Sequence, residues 1–164
     1  MTNIMPPDFS RLADGVKVEF TRLLPFGRRE VWKALTESKA LPFWLAEGEI
    51  QAWRGGKVEL NVPGSDLHIK SLVTDAKAEE TLCYGWGGGD DLPFQVSWSL
   101  ADIKSGTKLS LMLSLSRTDN ASRLAAGFNA HLMMLEKYLE GCPISFPIQL
   151  FKIWQTSYQT LWPG

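Results

Sequence analysis

The chain has 164 residues, 45 % apolar and 21 % charged, with 17 basic and 18 acidic side chains. That length suits one domain that buries roughly 68–70 % of its unfolded surface, and a formal charge of −1 supplies no field to draw nucleic acid or an anionic membrane. No apolar run approaches the roughly 20 residues of a membrane helix, and Met1 to Arg11 lacks the charged and apolar regions of a secretory signal, so a cytoplasmic protein is expected.

Residues 1–14, with Pro6-Pro7 and little periodicity, read as a loose arm. Val16, Val18 and Phe20 alternate with Lys17, Glu19 and Thr21, the period-2 pattern of a half-buried strand, which ends before Pro25. Val31, Trp32 and Leu35 have helical spacing within 27–36, and Leu41 to Leu45 forms a second short helix with Pro42 tolerated in its first turn. After a turn at Gly55-Gly56, strands are expected near 57–63, 67–75, 80–87, 93–101 and 107–116. The segments between them, such as Pro63-Gly64-Ser65-Asp66 and Lys104-Ser105-Gly106, carry turn chemistry.

Phe94, Val96, Trp98 and Leu100 form one alternating row, and Leu109, Leu111, Leu113 and Leu115 form the next. Leu124, Phe128, Leu132, Leu135 and Leu139 then recur at steps of three and four, the stripe of a long helix packed on a core. That helix is expected to start at an Asp119 or Asn120 cap and to stop at Gly141, with Pro143 just beyond. The fold expected is α+β: a curved antiparallel sheet of about six strands around a long C-terminal helix, with two short helices between strands 1 and 2. The whole chain, 1–164, is read as one domain with a core over 16–141 and an apolar extension over 142–164. Ile148, Phe151, Trp154, Tyr158 and Leu161 give that extension a helical stripe, which packs on its own domain or forms a homodimer contact.

Little in the residues announces chemistry. Cys83 and Cys142 belong to no CxxC pair, and Cys83 reads as a small buried thiol. Gly85-Trp86-Gly87-Gly88-Gly89 leads into Asp90-Asp91 and another strand rather than a helix, so a hairpin loop at a pocket mouth is expected and not a phosphate cradle. His68 and His131 are too few and too far apart for a metal site, and no cofactor is implied. Arg22 and Glu59 are candidates for inward-leaning charges that need a partner or bind a ligand.

Several stretches carry a resemblance. Arg22-Leu23-Leu24-Pro25, the helix from Arg28 to Thr36, Tyr84-Gly85-Trp86, Gly127 to Leu132 and Tyr138-Leu139-Glu140-Gly141 resemble the START-like (SRPBCC) superfamily. More narrowly they resemble homologues of the activator of heat-shock-protein ATPase, over about residues 16–141. The resemblance implies a helix-grip fold around a hydrophobic cavity that takes lipids, sterols, polyketides or other apolar molecules; it implies no shared catalytic residues.

The function expected is therefore binding of a small hydrophobic or amphipathic ligand between sheet and helix. Phe94, Val96, Trp98, Leu111, Leu113, Phe128 and Leu132 would line the pocket with Trp44, while Tyr84, Trp86 and His131 would supply polar handles. Two other readings stand beside it. A cyclase- or hydrolase-type enzyme would draw its acid or base from His131, Tyr84 or Glu59, and a co-chaperone-like interaction module would follow the family name.

Overall fold

The computed structural model describes residues 5–87, 94–116 and 120–162. Its strands are β1 (Asp8–Leu12), β2 (Gly15–Leu24), β3 (Glu47–Ile50), β4 (Lys57–Asn61), β5 (His68–Lys77), β6 (Thr81–Trp86), β7 (Phe94–Ile103) and β8 (Gly106–Leu115). Helices α1 (Arg28–Thr36) and α2 (Leu41–Trp44) lie between β2 and β3, while α3 (Ala121–Leu139) and α4 (Ile148–Leu161) close the chain. The strands form one curved antiparallel sheet in the order β1-β2-β8-β7-β6-β5-β4-β3.

The described sheet thus has eight strands rather than about six. The two additional strands are the edges, and neither carries an alternating pattern. β1 lies in the stretch expected to be a loose arm and pairs Phe9 with Val18. What holds it is tertiary: the Phe9 ring stacks on Trp162 at 5.9 Å and meets Tyr158 edge-on at 6.2 Å. β3 reads Glu-Gly-Glu-Ile and pairs with β4. Gly48 there has φ +147°, and a Cβ on it would lie 1.9 Å from the Glu59 carbonyl oxygen, so only glycine fits.

The inner strands follow their alternation. In β2, Val16, Val18, Phe20, Arg22 and Leu24 are all buried on one face; β7 and β8 register Trp98 on Leu111 and Val96 on Leu113. β5 slips register between Val73 and Asp75, a bulge that bends the strand where the sheet curves. Helix α3 lies across the inner face, with Phe128, Leu132 and Leu135 buried and Leu124 and Leu139 half-buried.

The 19-residue α3 also buries Ala125, Ala126, Asn129, Ala130 and Glu136, more than one stripe, because α4 covers a second side of it. The start at Asn120 agrees with expectation, although its side chain makes no cap bond; Asp119 lies outside the described residues. The stop is a Schellman turn. Gly141 has φ +83°, its N–H donates to the Tyr138 carbonyl at 3.0 Å, and the Cys142 N–H reaches the Lys137 carbonyl at 2.9 Å.

The apolar extension is α4, packed on α3 of the same chain with Trp154 and Tyr158 buried. Phe151, Trp154 and Tyr158 of the stripe offered for a homodimer are therefore packed within the chain, while Ile148 and Leu161 stay exposed. Cys83 is half-buried rather than buried, and Cys142 is exposed. No helix among the described residues is long and apolar enough to cross a membrane.

Candidate functional site

A cavity of about 570 Å³ opens at one end of the sheet, within the roughly 300–1,000 Å³ usual for small-molecule sites. One wall is a single face of α3 and its cap: Asn120, Arg123, Leu124, Gly127, Phe128, His131 and Met134. Those positions recur at three and four residues, so they stack on one side of the helix. The opposite wall is built from strand ends, with Trp86 and Gly87 leaving β6, Phe94 opening β7 and Leu115 closing β8. The turn from Val62 to Ser65 with Leu67, Pro42 of α2 and Leu45 just beyond it, and the C-terminal Phe146, Ile148 and Phe151 complete the enclosure.

Aromatic rings give the cavity its shape. Phe128 sits edge-on to Trp86 at 5.1 Å and to Phe94 at 6.2 Å, and Phe146 bridges His131 and Phe151 at 5.6 Å each. Gly127 leaves room between α3 and α4: a Cβ there would meet only the Phe151 Cε1, at 3.9 Å.

His131 Nδ1–H donates to the Trp44 carbonyl oxygen at 2.8 Å, capping the end of α2. That bond fixes the neutral tautomer, leaving the Nε2 lone pair as an acceptor. Burial holds the ring below the ordinary 6.5, against a smaller upward pull from the Trp44 carbonyl. An NMR pH titration of the imidazole signals should therefore place the His131 midpoint below 6.5; a midpoint at or above that value would contradict the enclosure of this ring.

Of the residues expected to line a pocket, the structure places Trp86, Phe94, Phe128 and His131 on the wall. Trp44, Tyr84, Val96, Trp98, Leu111, Leu113 and Leu132 lie instead in the packed core beneath it. The reason is direct packing. Trp44 meets Trp98 edge-on at 5.6 Å, filling the space between α2 and the middle of the sheet. Polar atoms of these rings are satisfied internally: Trp44 Nε1–H donates to the Ala34 carbonyl at 2.7 Å, and Trp98 Nε1–H to Tyr84 Oη at 3.1 Å. Burial also pushes the Tyr84 hydroxyl far up, so it stays neutral.

Glu59, expected as an inward-leaning charge, is exposed. Arg22 does lean inward, and its partner is Glu136, not the cavity. His68 is exposed and bonds Asn61. Beyond Gly87, the glycine loop falls outside the described residues. Among the described residues no group of three or more His, Cys, Asp or Glu could hold a metal ion.

Sequence reasoning missed Leu124, Gly127, Met134, Phe146 and Phe151 as wall residues. One signal was available: a glycine inside a strong helical pattern normally has a packing or functional reason.

The model of the family described as "Activator of Hsp90 ATPase homolog 1-like protein" matches residues 26–140. No curated protein matches the chain. Among solved structures, CalU16 from Micromonospora echinospora superposes with a TM-score of 0.77 at 14 % identity, over 98 % of this chain and 97 % of that one. BPP1335 from Bordetella parapertussis is 25 % identical with a TM-score of 0.72, over 97 % and 94 %. DynU16, from the dynemicin biosynthetic locus, gives 0.70 at 22 % identity over 77 % of this chain and 48 % of its own length.

Proposed function

The chain belongs to the Activator of Hsp90 ATPase homolog 1-like family, of START-like type, and from that premise we propose that it binds a small hydrophobic or amphipathic molecule in the cavity beside α3, in the helix-grip manner. The observation that carries the reading is the cavity itself: about 570 Å³, walled mainly by aromatic and aliphatic groups with a few polar ones. Burying an apolar body there draws on about 25 cal/mol per Å², less the cost of ordering the ligand.

Gly127→Leu tests it. The added side chain projects into the open space toward Phe151 rather than into backbone. A mid-helix glycine replaced by leucine also gains helix propensity of up to about 1 kcal/mol. The variant should melt at or above the wild-type temperature yet bind the neutral dye N-phenyl-1-naphthylamine at least about tenfold more weakly. Wild-type dye affinity in a stably folded Gly127→Leu protein would remove this cavity as the binding site.

A further inference from the structure

The polar groups on the cavity wall are unevenly placed and unevenly satisfied. Ser65 is taken up by its own turn, donating to the Val62 carbonyl and accepting from the Leu67 N–H, each at 3.2 Å. His131 Nδ1 is held by Trp44. At the other end, where α3 begins, the Asn120 and Arg123 side chains make no hydrogen bond or ion pair among the described residues. Arg123 is the one cation on the described wall, and no Asp or Glu stands on it. The free amide N–H groups in the first turn of the 19-residue α3 add positive potential at the same place.

The geometry points to an amphiphile with one anionic end, a carboxylate being the simplest, bound with its charge at Arg123 and its apolar body running along Gly127 and Phe128 toward Met134. This rests on the ligand-binding reading above and adds the class and direction of the ligand. From Arg123 to His131 is eight residues, about 12 Å along the helix axis. An anion placed at the His131 end would shed its water with no cation to meet it, a large cost. At the exposed Arg123 it keeps part of its hydration and gains a two-pronged donor.

The test uses displacement of N-phenyl-1-naphthylamine by decanoate and by 1-decanol at pH 8 and low ionic strength, in wild type, Arg123→Gln and Arg123→Lys. The readout is the ratio of decanoate to decanol affinity. Arg123→Gln should lower that ratio about fivefold, the scale of one solvent-accessible ion pair, and Arg123→Lys should retain most of it. In wild type the ratio should shrink toward the Gln value in 1 M NaCl, where the screening length is about 3 Å. An unchanged ratio in Arg123→Gln, with both compounds still displacing the dye, overturns the anion site and leaves the cavity standing. Failure of dye, acid and alcohol alike to bind wild type overturns both readings.

Discussion

Replacing Arg22 by Met is expected to destabilise the protein by about 3–5 kcal/mol, the usual cost of removing one partner of a buried ion pair. Arg22 is 3 % exposed on the inner face of β2. Its Nε lies 3.3 Å from Glu136 Oε1, and Nη1 donates to the Thr21 carbonyl at 3.0 Å and the Met5 carbonyl at 3.3 Å. Nη2 bonds Asn129 Oδ1. One guanidinium thus ties β2 to two turns of α3, and α4 brings Tyr158 beside it. Methionine fills the volume but leaves the Glu136 carboxylate buried and alone.

The pH dependence follows from that carboxylate. Burial already raises Glu136 above its ordinary 4.5, with Arg22 the main opposing pull; without Arg22 it rises further. A carboxyl raised on folding binds more protons in the native than in the unfolded state, so stability is lost as pH climbs from 4.5 through the folded value. The deficit of Arg22→Met should therefore be largest near pH 7 and shrink toward pH 4.5. The double variant Arg22→Met/Glu136→Leu should recover much of the loss, because apolar replacement of both partners is often neutral or better. Urea unfolding of wild type, Arg22→Met and the double variant at pH 7 and pH 4.5 measures both effects; a deficit of the same size at each pH would mean that Glu136 is not the stranded charge.

Trp98→Ala should cost a similar amount, about 3–5 kcal/mol, with little change in binding at the cavity. Trp98 is 1 % exposed and opposes Leu111 across β7 and β8. Truncation removes its edge-on contact with Trp44 and leaves the Tyr84 hydroxyl without its hydrogen-bond donor. The loss therefore combines a void with an orphaned polar group. Trp98→Phe keeps most of the ring and should lose less. Denaturation for stability and N-phenyl-1-naphthylamine titration for binding separate the roles. A stability loss under about 1 kcal/mol together with lost dye affinity would place Trp98 on the cavity wall after all.

The contrast between Trp98 and Trp86 shows where sequence reasoning stops. Both alternate inward on strands and both are aromatic, so their local patterns are equivalent. Trp98 faces α2 and is packed shut by Trp44, whereas Trp86 ends its strand against Phe128 beside open space. Likewise the stripe through Phe128, Leu132 and Leu135 was legible as the sheet-facing side of α3. The cavity face, rotated to Arg123, Gly127 and Met134, became visible only once Phe151 of α4 stood opposite Gly127. β1 and β3 escaped for a related reason: neither carries an alternating row of its own, and each is placed by a neighbouring strand and by contacts distant in sequence.

Periodicity, with the turn and cap residues that bound it, determined the five inner strands after the Gly55-Gly56 turn, the strand at Val16, the two short helices and the long helix ending at Gly141. Side-chain direction repeats every 2.0 or 3.6 residues, so burial on one face is written locally into the chain. The two edge strands, the seat of α4, the Arg22–Glu136 pair and the separation of core rings from wall rings were decided by tertiary structure. Each depends on residues far apart in sequence meeting at a particular distance, and an empty volume is what remains after those distances are set.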